Sequence, residues 1–155
     1  MTVAFIGPKK FERTVELIVR MWEVIAELVV DDGANVFLFT NESFYDYNCW
    51  AMVSQLKMHH PNIRRIHMRK DKQKNKYRLE GTRKSFEKRV LLNSVRNAGM
   101  FAEFVRNRAM VDKCDVLVVY CDTSCVRMPR IKDETETVME YALQMNKRVI
   151  NLFEK

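Results

Sequence analysis

The sequence predicts a three-layer α/β sandwich on a mainly parallel sheet of four to six strands, and three observations carry that expectation. Four short runs are almost continuously apolar: Val3-Ala4-Phe5-Ile6, Val36-Phe37-Leu38-Phe39, Val116-Leu117-Val118-Val119-Tyr120 and Val149-Ile150-Asn151-Leu152-Phe153. Strands covered on both faces carry such runs, whereas a strand with one wet face alternates. Stretches with helical spacing lie between them. Strand and helix therefore alternate along the chain, and parallel strands joined by right-handed crossovers satisfy that order most simply.

The elements follow in order. Val15, Ile18, Val19, Trp22, Ala26 and Val29 form a stripe at three- and four-residue spacings, closed by Asp31-Asp32-Gly33. Ser43 to His60 reads as a second helix stopped by Pro61, because the residue before proline avoids helical angles. Ile63 to Met68 alternates, so a fifth strand is expected there, nearer a sheet edge. Asp71 to Lys76 reads as an exposed loop, and Phe86 to Val95 as either helix or short strand. Phe101, Phe104, Val105 and Met110 support a third helix; Val138, Tyr141, Ala142 and Met145 support a fourth.

At 155 residues, with no internal repeat and no flexible linker, the expectation is one domain over 1–155. Apolar residues at 47% and charged residues at 30% argue against disorder. No apolar run approaches the roughly 18 residues that a bilayer requires, so no membrane partner is expected. Met1 to Gly7 has neither a basic leader nor a small-residue cleavage site, and is read as a strand rather than a signal peptide. Cys49, Cys114, Cys121 and Cys125 beside ten methionines suggest reduced thiols and a cytoplasmic location. Net charge is +7, but Arg64 to Arg89 holds twelve Lys or Arg against three acids, leaving the rest at −2. The basicity belongs to one variable segment at about 64–96, and only there does a polyanionic partner find a reason.

In open parallel sheets, ligands bind beyond the carboxyl ends of the strands, where helix N-termini offer free amides. The turns to inspect are Gly7 to Lys10, Thr40 to Asp46, Asp122 to Cys125, and Asp133 to Glu136. Metal-ligand spacings are missing among Cys114, Cys121, Cys125, His59, His60 and His67, and there is no GxSxG elbow. No metal, cofactor or catalytic residue is therefore assigned.

The stretch Arg106-Asn107-Arg108-Ala109-Met110-Val111-Asp112, followed by Cys114 to Asp122, resembles the RNxxMVD…aDxxIayxD block of the SLOG superfamily. That superfamily is Rossmann-like and includes the lysine-decarboxylase-like phosphoribohydrolases and DNA-processing protein A. Phe5 to Lys9 resembles the strand start of its small, mostly bacterial YpsA-like group. Thr40 to Asp46 resembles that group's second turn, while Thr135 to Ala142 and Lys147 to Phe153 resemble its last helix and strand. The resemblance implies a binding module for a nucleotide or nucleotide-derived small molecule, and it leans away from an enzyme. A homodimer is compatible with it.

Departures from the family pattern matter equally. Thr40 replaces the second-turn glycine, Pro8 the first-turn histidine, and Glu134 the glycine before Thr135. Asp133, Glu134 and Glu136 place carboxylates where a phosphate would dock, and Asp133 and Glu136 have capping-box spacing. A phosphate there would need Arg127, Arg130 or Lys132 to fold back over it. The phosphoribohydrolase motif GGxGTxxE would put its catalytic Glu at Val138, so N-glycosidase chemistry on nucleoside monophosphates stands only as an alternative. A second alternative is nucleic-acid binding through the basic segment, weakened because only Tyr77 and Phe86 interleave there. Gly7, Lys9, Thr40, Asn41, Ser43, Asp46, Arg106, Asn107, Asp122 and Thr135 are expected to converge on one ligand cleft at the carboxyl edge of the sheet. Arg106 is expected to be its main positive charge. The plainer roles are a surface Arg106, an Asn107 that ties down a loop, and an Asp46 that merely serves a helix start.

Overall fold

The computed structural model describes residues 1–71, 85–122 and 134–153. Six strands form one all-parallel sheet: β1 (Thr2–Ile6), β2 (Val36–Phe39), β3 (Arg64–Met68), β4 (Lys88–Val90), β5 (Val116–Val119) and β6 (Arg148–Asn151), in the order β4-β3-β2-β1-β5-β6. The four apolar runs are consecutive neighbours in it. Burial explains their composition, since β5 is buried throughout and β1 from its second residue onward. The alternating run forms β3, one position in from the edge. Phe86 to Val95 supplies both options foreseen for it, β4 and then the single turn α3 (Asn93–Arg96). The loop expected at Asp71 to Lys76 lies outside the described residues from position 72 onward.

Helix α1 (Val15–Val30) starts at Thr14, whose Oγ1 accepts the Leu17 N–H at 3.2 Å. Its buried face is not the expected stripe. Leu17, Met21, Ile25, Leu28 and Val29 face the sheet, while Val15 is 78% exposed. The true face is displaced by one residue, roughly 100° around the axis. Apolar side chains ring most of this helix, so periodicity alone could not choose between faces. Helix α2 (Phe44–Lys57) is capped by Ser43, whose Oγ accepts the Asp46 N–H at 3.1 Å. A 3-10 turn at Gly99–Phe101 leads into α4 (Ala102–Lys113), and α5 (Glu134–Gln144) precedes β6. On α4 the expected Phe101 and Phe104 are exposed, and the buried face holds Arg106, Asn107, Met110 and Val111. On α5, Val138 and Ala142 are buried but Met145 is exposed.

Helices α1 and α2 pack on the face carrying Val3, Phe5, Phe37, Phe39, Val116 and Val118. Helices α4 and α5 cover the other, against Ala4, Ile6, Leu38, Leu117 and Val119. Constant crossover hand gives this result. The chain lays down β1 to β4 in one direction, then returns to place β5 and β6 on the far side of β1, so its helices change face. The reversal falls between β1 and β5. Among the described residues, no helix is long and apolar enough to cross a membrane.

Candidate functional site

At the carboxyl edge, beside that reversal point, lies a cleft of about 240 Å³. Gly7, Pro8 and Lys9 follow β1; Thr40, Glu42 and Ser43 follow β2; Glu103, Arg106 and Asn107 come from α4; Glu134 and Thr135 open α5. Of the ten predicted positions, the structure gathers seven around this cleft: Gly7, Lys9, Thr40, Ser43, Arg106, Asn107 and Thr135. Asn41 and Asp46, in the turn after β2, and Asp122, just beyond β5, are outside the lining.

The turn after β2 has the form of an anion nest that the protein fills itself. Asn41 adopts a left-handed backbone with φ 58°, which turns successive amides inward. The Thr40 N–H donates to Asp46 Oδ1 at 3.0 Å and the Asn41 N–H to Asp46 Oδ2 at 2.8 Å. Asp46 is 1% exposed, so its carboxylate stands where a Gly-rich turn would hold a phosphate oxygen. Three of the predicted ligand contacts are thereby engaged, Thr40 and Asn41 each donating to Asp46.

Arg106 corrects a second expectation. It is 1% exposed, the largest fully buried side chain described, and its charge is already matched. Nη1 and Nη2 donate to the two Glu42 oxygens at 2.7 and 3.0 Å, and Nε and Nη2 donate to Asn107 Oδ1 at 3.1 and 3.0 Å. Such a bidentate pair suits the planar guanidinium. Lys70 also reaches Glu42, at 3.2 Å. Burial pushes the Glu42 pKa up, but Arg106 and Lys70 outweigh it and hold the carboxyl below its usual range. Arg106 is therefore not a free positive charge.

The network continues across the cleft. Asn107 Nδ2 donates to Glu134 Oε1 at 3.2 Å, and Lys9 pairs with Glu103 at 3.6 Å. Burial first, then the neighbouring Glu103 carboxylate and a hydrogen bond with it, raise the Glu134 pKa. Glu42 and Glu103 escaped the sequence reading. Nothing local marks either one, because Glu42 meets Arg106 across 64 residues.

The wall behind Gly7 is the ring of Tyr45, fully buried, whose hydroxyl donates to the Val118 carbonyl at 2.7 Å. Glycine at this turn makes room for that ring, a local reason independent of any phosphate.

Among solved structures, the Moco carrier protein from Chlamydomonas reinhardtii is similar to this chain, with a TM-score of 0.53 over 98% of this chain and 75% of that one. The fold is Rossmann-like. Sequence identity between the two is 14%, so the likeness concerns architecture alone. No protein-family model matches the chain, and no curated protein matches it.

A Rossmann-like sheet also fixes the surroundings of His67, on β3 next to the second turn. Burial chiefly, then Arg89, Arg69 and Arg106, lower its pKa from 6.5 to about 4, against a hydrogen bond with the Thr40 backbone. The folded state thus refuses a proton that the unfolded chain accepts between pH 6.5 and about 4. Stability should fall as pH drops through that window, by about 3 kcal/mol in all. Urea titrations at pH 7, 5.5 and 4.2 check this, and His67→Gln should flatten the trend. Glu87 acts lower. Burial raises its pKa, but Arg65 and Lys57 overcome that and bring it to about 2. Its contribution is present above pH 4.5 and fades as pH falls toward 2.

Cys49, Cys114 and Cys121 are buried. Burial pushes the Cys49 thiol well up and Cys114 to about 11, so neither is an activated nucleophile. Cys125 lies outside the described residues. Among the described residues, no cluster of three or more His, Cys, Asp or Glu is arranged to hold a metal ion.

Proposed function

We propose that this chain is a non-catalytic binding module that holds a nucleotide-derived small molecule in the cleft between β1 and β5. The carrying observation is position. Four separate segments line a cleft at the point where strand order reverses, the place where open parallel sheets bind ligands. The Moco carrier protein, a small-molecule carrier by its name, supports a carrier role on this architecture. The SLOG-like motifs support the nucleotide-derived class.

The lining refines the chemistry. Asp46 fills the β2 turn, Glu42 neutralises Arg106, and Glu134 stands at the start of α5. A phosphate would face carboxylates at each of these places. A ring rich in N–H donors suits Glu103, Glu134 and Thr135 better, because carboxylate and hydroxyl oxygens accept such hydrogen bonds. The phosphoribohydrolase alternative loses support from Val138, which is buried in the core rather than turned to the cleft.

A thermal-shift panel of purine nucleosides, their mono- and triphosphates, nicotinamide dinucleotides and Moco tests this. A ligand at a hundredfold excess over its Kd stabilises by about 2.7 kcal/mol. Nucleosides should shift the midpoint more than their triphosphates, and a panel without any shift overturns the proposal. Release of free base from nucleoside monophosphates, in proportion to protein, would overturn the non-catalytic part.

A further inference from the structure

The Glu42 carboxylate stands in a seat shaped for a larger anion. Arg106 forms the floor of that seat and is held from behind. Its Nε and Nη2 donate to Asn107 Oδ1 at 3.1 and 3.0 Å, and Asn107 is itself tied to Glu134 at 3.2 Å. The orientation of the guanidinium therefore does not depend on Glu42 alone. Its Nη1 and Nη2 present a planar fork, which Glu42 Oε1 and Oε2 accept at 2.7 and 3.0 Å. Lys70, just beyond β3, brings its ammonium within 3.2 Å of the same Oε1. A guanidinium fork with an ammonium beside it is an arrangement that binds phosphoryl oxygens.

An ion pair that merely fastened α4 to the β2 turn would consist of Arg106 and Glu42. Lys70 belongs to neither element and does not serve that fastening, but it adds a second cation to one anionic oxygen. The backbone fixes Glu42 from both sides. Asn41 takes its left-handed φ of 58° and gives its N–H to Asp46, while Ser43 caps α2. Between these anchored neighbours the Glu42 side chain lines the cleft with 21% of its surface exposed. We infer that Arg106 and Lys70 form an anion subsite that Glu42 fills, which makes Glu42 the residue that bars phosphorylated ligands from the cleft. On the reading of the cleft proposed above, from which the ligand class is taken, the molecule admitted is a nucleoside-type compound without its phosphate.

Thermal melting in inorganic phosphate, against sodium chloride of equal ionic strength, tests the subsite without any nucleoside. The wild type should show no shift specific to phosphate. Glu42→Ala should melt lower in chloride and recover as phosphate rises, with an apparent Kd at least about tenfold tighter than any the wild type shows. Glu42→Gln keeps the size of the side chain and removes its charge, so it should respond in the same direction even where the alanine variant fails to fold. Adding Lys70→Ala to Glu42→Ala should weaken the response. In Glu42→Ala, adenosine monophosphate should also stabilise more than adenosine, the reverse of the order expected for the wild type. A phosphate response of equal size in the wild type overturns the inference. So does its absence from both Glu42 variants, or a response that Lys70→Ala leaves unchanged. Nucleosides that fail to shift the wild type, with phosphate still bound by Glu42→Ala, would instead overturn the ligand class and leave the anion subsite standing.

Discussion

Gly7→Ala is expected to destabilise the protein by about 3–5 kcal/mol, although the residue is small and lies in a turn. An added Cβ would stand 2.7 Å from Tyr45 Cε1, and closer still to Cγ and Cδ1. Carbon atoms settle at roughly 3.5–4.0 Å, so the ring must move. Tyr45 is fully buried and braced edge-on by Phe11 at 5.5 Å. Moving the ring costs overpacking of about 1–3 kcal/mol. It also pulls the hydroxyl from the Val118 carbonyl, leaving a buried donor unmet at about 1–3 kcal/mol more. Urea denaturation of Gly7→Ala, Tyr45→Ala and the double variant checks the mechanism. In the Tyr45→Ala background, Gly7→Ala should cost less than about 1 kcal/mol. Full additivity would show that the glycine serves some other purpose.

Arg106→Ala should cost about 3 kcal/mol, lowering the melting midpoint by roughly 10 °C. The loss strands Asn107 Oδ1 and leaves Glu42 paired with Lys70 alone of these two cations. Removing one member of a buried pair typically costs about 3–5 kcal/mol. The lower figure applies here because the Glu42 side chain keeps 21% of its exposure. Arg106→Lys should recover only part of this, since an ammonium cannot bridge Glu42 and Asn107 in one plane. Replacing Glu42 and Arg106 together by leucine should cost less than Arg106→Ala alone, because neither buried charge remains and Lys70, with its side chain 36% exposed, can turn to water. A double variant that loses the sum of the two single losses would show that they act separately.

The strands were legible because burial on both faces writes itself into consecutive residues such as Val116 to Val119. The active face of α1 was not, because Val15, Ile18, Leu17 and Met21 offer two equally apolar rows. At the cleft, position was legible and chemistry less so. Parallel strands bring Gly7, Thr40, Arg106 and Thr135 to one edge regardless of detail. The charge state of Arg106 depends on Glu42, a residue with no local signature and a separation of 64 positions. Asp46 was half legible: Ser43 three residues earlier marks a helix start, but the bonds to Thr40 and Asn41 depend on the left-handed turn.

Glu42 also makes the cleft selective through effective concentration. A carboxylate that the fold holds beside its guanidinium competes with dissolved anions at a local concentration of millimolar or more. Inorganic phosphate, acetate and other small anions at comparable concentrations gain nothing by entering, because each exchange trades one ion pair for another. A ligand prevails only when further contacts along Glu103, Asn107 and Thr135 arrive with it, so the resident carboxylate acts as an intramolecular blank against which every incoming molecule is measured.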